Sequence, residues 1–160
     1  LDAALDEAFR FDPKVLIEQG VEGREVECGV LQGENGQAPR TSLPGEVVIG
    51  EDLAFYDYES KYFGKGTVTI DIPAAIPEQY VAAVREVAAR AFEALELEGL
   101  ARVDVFVTGA GEVIVNEVNT MPGFTQISMF PVLWENMGLS YADLISRLID
   151  NALERGVGLR

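Results

Sequence analysis

The chain has 160 residues, 48% of them hydrophobic, which suffices for one ordinary domain with its own core. Its 27 Asp and Glu outnumber 12 Lys and Arg, and the formal net charge of −15 argues against a nucleic-acid partner, whose phosphates call for clustered cations. No apolar run approaches the roughly 18 residues of a membrane span, no secretory signal pattern is present, and the lack of histidine excludes His-based catalysis and His-ligated metal sites within the chain. A single cysteine, Cys28, rules out an internal disulfide and fits a reducing compartment. The chain starts at Leu1 rather than Met, as expected of a piece of a longer polypeptide.

Residues 1–10 read as the end of a helix, with Leu1, Leu5, Ala8 and Phe9 on one side. Phe11-Asp12-Pro13 breaks it. Residues 15–18 read as a short buried strand and residues 25–31 as an alternating one, in which Cys28 is a small buried apolar residue. Residues 33–42 form a polar turn region, and residues 45–49 a further strand. Residues 55–66 carry Phe55, Tyr56, Tyr58, Tyr62 and Phe63 among glycines and charges, which marks a functional loop rather than a plain linker. Their aromatic and glycine content with little apolar periodicity predicts mobility for residues 55–68. Residues 67–72 are a strand by β-branched content. Pro77 opens a helix at a favoured first position, with Val81, Val84, Ala88, Ala91, Phe92 and Leu95 as its core stripe. After a hairpin and a Pro-Gly loop, residues 130–137 are a short helix ended by Gly138. Ser140 with Asp143 resembles a capping box ahead of a last helix carrying Leu144, Ile145, Leu148, Ile149 and Ala152. The order of strands, helix, hairpin and helices gives an α+β chain with a mainly antiparallel sheet.

The hairpin holds the most informative residues. Side chains two apart on a strand share a face, so Arg102 pairs with Asp104 and Glu117 with Asn119. Three oxygen-bearing side chains and a guanidinium on adjoining strands are costly to bury without a purpose. Hard oxygen donors suit Mg²⁺ that also holds phosphates, which points to phosphoryl transfer from ATP. The register decides whether the four residues meet. Pairing Val107 with Val113 sets Asp104 opposite Asn116 and sends Glu117 to the other face. Pairing Val107 with Ile114 sets Asp104 opposite Glu117 and Arg102 opposite Asn119, and this is the register expected.

Four blocks then coincide: residues 56–62 (YDYESKY), 101–104 (ARVD), 116–125 (NEVNTMPGFT) and 128–131 (SMFP). In order and spacing they resemble the D-alanine–D-alanine ligases of the ATP-grasp superfamily, over essentially the whole chain. The resemblance implies the C-terminal part of an ATP-grasp fold, with residues 1–25 ending the small lobe and residues 26–160 forming the catalytic lobe. It implies ATP and two Mg²⁺ ions, with Mn²⁺ as a substitute, held by Asp104, Glu117 and Asn119. Arg102, helped by the Gly123 N–H, would stabilise a tetrahedral intermediate. Ser128, with the Met129 N–H, would hold the carboxylate of the second D-alanine; from the residues alone Ser128 could equally cap a helix. Glu18 and Val21 would form the adenine hinge, Glu25 would accept the ribose hydroxyls, and Phe55 would pack on the base. Lys61 would reach the ATP phosphates and Tyr62 would help close the loop.

The implied enzyme is a cytoplasmic homodimer that makes the D-alanyl-D-alanine of peptidoglycan precursors, with no nucleic-acid partner and no membrane insertion. Rival readings are a D-alanine–D-lactate ligase, another ATP-grasp carboxylate–amine ligase, and a truncated fragment without activity. The lactate-forming subgroup tends to carry histidine at the position of Tyr62, and this chain has none. The early phosphate-binding lysines and glycine-rich loop of the family have no counterpart here, so the chain alone is expected to be inactive.

Overall fold

The computed structural model describes residues 1–49 and 68–154. An N-terminal helix, α1 (Asp2–Ala8), is followed by a stretch without regular structure and then by β1 (Gly23–Leu31). A short 3₁₀ turn (Glu34–Gly36) leads to β2 (Arg40–Thr41), β3 (Glu46–Ile49) and β4 (Val68–Asp71). Helix α2 (Glu78–Ala94), the hairpin β5 (Leu100–Thr108) and β6 (Val113–Asn119), and helices α3 (Met129–Glu135) and α4 (Tyr141–Glu154) complete the order.

Alternation along β1 and β5 explains the layers. One face of these strands presents Val26, Cys28, Val30, Ala101, Val103, Val105 and Val107, all buried. Helix α2 seals that face with Val84, Ala88 and Phe92, spaced four apart and therefore on one side of the helix. Burying a Phe side chain stabilises the packing by roughly 1.5–3 kcal/mol. Arg85 ties α2 to β2 by donating to the Thr41 hydroxyl and carbonyl, each at 3.1 Å. The four-stranded sheet runs β2-β1-β5-β6, with antiparallel pairing throughout, and a two-stranded antiparallel sheet, β3-β4, stands beside it. The two sheets meet where Glu27 and Gly45 exchange backbone hydrogen bonds of 2.8 and 2.9 Å. On the other face of the main sheet, Leu31 packs with Phe130, Trp134 and Leu144 from α3 and α4.

Gly111 and Gly29 are two of the glycines that close approaches require. Gly111 closes the β5–β6 hairpin at φ +85°, and a Cβ there would stand 2.4 Å from the Tyr80 hydroxyl. Gly29 lets α3 settle on the sheet, because a Cβ would meet Trp134 Nε1 at 2.9 Å.

The structure corrects several expectations. Residues 15–18 form no strand; Leu16 and Ile17 are 80% and 68% exposed. A short apolar run gains strand structure only from a pairing partner, and none of the described strands pairs with it. Pro77 is the N-cap of α2 rather than its first helical residue, and Leu95, beyond the last turn, is 56% exposed. The strand expected over 67–72 is present as β4, Val68–Asp71, while residues 55–67 of the segment expected to be mobile lie outside the described residues. The alternating strand at 25–31, the helix opening near Pro77 and the buried Cys28 are as expected.

The hairpin register differs from both simple alternatives. Val107 pairs with Val113, Phe106 with Ile114 and Val105 with Val115. Pairing then shifts, so that Asp104 faces Glu117, Val103 faces Val118 and Arg102 faces Asn119. The expected Val107–Ile114 pairing is therefore absent, yet the polar quartet still meets. Asn116 is the extra residue of a β-bulge, which resets the alternation halfway along β6.

Candidate active site

Register places the polar residues in two rows across three strands. Glu27, Asp104 and Glu117 form one row, and Gly29, Arg102 and Asn119 the next. All lie on the face opposite α2. Gly29, opposite Arg102 on β5, leaves the room that Trp134 and Phe130 of α3 occupy.

Arg102 is gripped from two strands. Its Nε and Nη2 donate to the two oxygens of Asp104 at 2.8 and 2.7 Å, a bidentate fork, and Nε lies 3.0 Å from Glu27 Oε2. These side chains are nearly withdrawn from water, with 13% of Arg102 and 4% of Asp104 exposed. Burial alone would weaken the charge on Arg102. The hydrogen bond to Asp104 and the attraction of Glu27, Asp104 and Glu117 outweigh it, so its pKa stands above the usual arginine range. Burial pushes the pKa of Asp104 up; the Arg102 contact opposes that rise, and the negative charge of Glu117 adds to it. Buried charge of this kind is a poor source of stability.

Asn119 shows where a cation would fit. Its Nδ2 donates to Asp104 Oδ2 at 3.2 Å and to Glu117 Oε1 at 2.8 Å. Two carboxylates from different strands thus converge on one electropositive group. Half a turn of the amide offers its oxygen to the same region. Two carboxylates and an amide oxygen are the donor chemistry of a hard cation that completes its shell with water and phosphate oxygens. Among the described residues, no three acidic, histidine or cysteine side chains form a ready-made cage.

A groove of about 630 Å³ adjoins this cluster. Glu18, Gln19, Gly20 and Val21 form one wall, and Phe106, Ile114, Val115 and Asn116 line the rest. Phe106 is two residues from Asp104 on the same face, a separation of about 7 Å along a strand. Glu25, opposite Phe106, accepts a hydrogen bond from the Asn116 amide at 3.2 Å. The bulge residue therefore holds the acid next to the groove.

Beyond β6 the chain turns through the Pro-Gly loop. Ser128 sits at the N-cap position of α3 but makes no side-chain cap bond. Its hydroxyl instead accepts from the Thr125 N–H at 3.0 Å and pairs with the Thr125 hydroxyl at 2.8 Å. Gly123 packs against it, since a Cβ there would lie 3.1 Å from Ser128 Oγ. Arg102, Asp104, Glu117 and Asn119 are thus brought together, Gly123 meets Ser128, and Glu18 and Val21 share a groove whose Asn116 holds Glu25. Phe55, Lys61 and Tyr62 lie outside the described residues. The sequence reading missed Glu27 and Asn116. Glu27 was within reach, because it is two residues from Glu25 and so shares its face.

The model of a family described as "D-ala D-ala ligase C-terminus" matches residues 1–150. A D-alanine–D-alanine ligase of Paenarthrobacter aurescens (strain TC1) is 56% identical over 162 residues, covering 100% of this chain and 43% of that protein. Among solved structures, the D-alanine–D-alanine ligase of Coxiella burnetii aligns with a TM-score of 0.78 at 38% identity, covering 96% of this chain and 38% of that one. The VanG D-Ala:D-Ser ligase of Enterococcus faecalis aligns with a TM-score of 0.78 at 34% identity, over 93% of this chain and 42% of that one. The chain spans less than half the length of each.

Proposed function

The chain belongs to the family of D-alanine–D-alanine ligase C-terminal parts, with the α+β ATP-grasp fold, and from that premise we propose that it is the nucleotide- and metal-binding part of an enzyme that joins two D-alanine molecules. The observation that carries this reading is the convergence of Asp104 and Glu117 on the Asn119 amide, with Arg102 locked beside them. The activity belongs to a polypeptide of the relatives' length. Residues 1–25 would close its small lobe and residues 26–160 would form the catalytic lobe.

In this reading the carboxylate of one D-alanine takes the γ-phosphoryl group of ATP. The amino group of a second D-alanine attacks the acyl phosphate, and the tetrahedral intermediate collapses with loss of phosphate. Two Mg²⁺ ions, or Mn²⁺ in their place, would be held by Asp104, Glu117 and Asn119 and would supply neutralisation of phosphate charge. Glu18 and Val21 bind adenine through the carbonyl of the first and the N–H of the second. Glu25, oriented by Asn116, takes the ribose hydroxyls. Phe55 packs on the base, Lys61 contacts the phosphates, and Tyr62 helps shield the acyl phosphate from water.

Arg102 stays charged throughout, and with the Gly123 N–H it meets the oxyanion that develops at the carbonyl. Such donors contribute about 3 kcal/mol each. Ser128 and the Met129 N–H position the carboxylate of the attacking D-alanine. The Ser128 hydroxyl, tied to Thr125 instead of capping α3, is already placed in the loop rather than in the helix. A peptidoglycan-precursor role, a cytoplasmic location and a homodimer go with this assignment.

The test is phosphate release and product analysis with the full-length protein, ATP, Mg²⁺ and D-alanine, with D-serine and D-lactate as alternative second substrates. D-Alanyl-D-alanine is the expected product, and the 160-residue chain alone is expected to release no phosphate. A full-length protein that makes no dipeptide but phosphorylates an unrelated carboxylate overturns the reading.

A further inference from the structure

We propose that Glu27 is a positioning residue for Arg102, holding the guanidinium in its working orientation when the Asp104 carboxylate is engaged elsewhere. The inference rests on the ligase reading and goes beyond it, because Glu27 belongs to neither the nucleotide set nor the metal set.

Three observations carry it. First, Arg102 has a double attachment at a single nitrogen: Nε faces Asp104 Oδ1 at 2.8 Å and Glu27 Oε2 at 3.0 Å. If Asp104 served only to hold Arg102, one bidentate fork would be enough. A second carboxylate matters when the first has another duty, and Asp104 is the acid that shares Asn119 with Glu117. Second, Glu27 has a rigid base. Its backbone pairs with Asp104 on β5 and exchanges two hydrogen bonds with Gly45 on the other side, so the main chain is fixed from both flanks. Third, the Glu27 side chain is 14% exposed, so its pairing with Arg102 is only weakly screened by water. A guanidinium free to swing would lose its aim at an oxyanion, and small losses of orientation are costly in rate. Glu27 restricts that swing from the strand opposite the metal-binding side.

The experiment uses the full-length protein with Glu27→Gln and Glu27→Asp. Losing the close, weakly screened ion pair between Glu27 and the guanidinium corresponds to a fall in kcat of about 10- to 100-fold for E27Q. KM for ATP and the Mn²⁺ dissociation constant, read by electron paramagnetic resonance, are expected to stay within about twofold, because an Arg102 that only wanders removes no ligand. E27D is expected to restore part of kcat. In an Arg102→Lys background, E27Q is expected to cost less than about twofold more, since the two act as one unit.

An E27Q kcat within twofold of wild type overturns the proposal. So does a Mn²⁺ affinity that falls in parallel with kcat, which would make Glu27 a metal ligand, or losses that multiply with R102K. Should the wild-type protein prove not to be a ligase, the functional reading falls separately. The positioning claim is then decided by solvent exchange of the Arg102 Nε–H in NMR, expected to be at least about tenfold faster in E27Q. Unchanged exchange overturns it.

Discussion

The two faces of the β1–β5–β6 sheet are built from alternate residues of the same strands, and they do opposite work. Toward α2 the strands present Val26, Cys28, Val30, Val103 and Val105, all sealed from water. Toward the other side they present Glu25, Glu27, Arg102, Asp104, Glu117 and Asn119, a charged surface held by hydrogen bonds and by the Arg102–Glu27 ion pair. One face buries apolar area and supplies stability. The other concentrates negative charge around a single guanidinium, which is a condition that folding alone does not reward. The rigidity of the first is what allows the second to keep its geometry, because Glu27, Arg102 and Asp104 are each flanked in sequence by two buried core residues.

The comparison predicts a double dissociation. On the dry face, Phe92→Ala should lose about 3–5 kcal/mol of stability, read from urea unfolding, because a cavity opens between α2 and the sheet. A loss below 1 kcal/mol would mean that α2 is not the principal seal. On the charged face, Glu117→Gln in the full-length protein should cut turnover by about 10²–10³-fold while stability stays within about 1 kcal/mol. Glu117 is an exposed residue of β6 that shares the Asn119 amide, so its removal takes away a converging charge but little packing. If Glu117→Gln unfolded the protein as readily as Phe92→Ala, the division of labour between the faces would be wrong.

Much of the dry face was legible in the sequence, because β-branched alternation and a four-residue helical stripe each bury one side by a simple rule. The charged face was legible in its members but not in its register. Parity placed Asp104, Glu117, Arg102 and Asn119 together only if the hairpin slipped by one from the Val107–Val113 pairing. The structure keeps that pairing and inserts Asn116 instead. A bulge leaves no simple periodic trace, since it depends on the balance between the turn at Gly111 and the pairing further down. Residues 15–18 failed for a related reason: apolar composition reports burial or pairing, but not whether a partner strand is at hand.

The bulge gives the next test of the comparison. Deleting Asn116 should leave Glu117 opposite Asp104, because Val115 would then be followed directly by the residue of correct parity. The charged quartet would survive while the hold on Glu25 is lost. ATP affinity should fall by about three- to tenfold, the value of one side-chain hydrogen bond, with Mn²⁺ affinity unchanged. Isothermal titration with ATP and with Mn²⁺ separates the two. Loss of Mn²⁺ binding in the deletion would show that the bulge itself shapes the metal-binding side.

The smallest expected effect concerns Cys28, the one titrating side chain among the sheet's contributions to the dry cluster. Burial raises its thiol from the ordinary 9.0 to about 12; hydrogen bonding with Ser42 and the charge of Arg85 only partly oppose the rise. A folded pKa above the unfolded one means that the native state holds its proton more tightly. The stabilisation is therefore complete below the unfolded value and is lost as pH climbs from about 9 toward about 12. Other groups titrate in that range, so the contribution is read as the difference between wild type and Cys28→Ala. The difference should be flat from pH 6 to about 8.5 and should then move in favour of Cys28→Ala as alkalinity increases. In the native protein at pH 8, a disulfide reagent such as DTNB should leave Cys28 unmodified, and should react with it fully in urea. Rapid modification of the folded protein would show that the face covered by α2 opens to water, and the contrast between a sealed face and a working one would have to be given up.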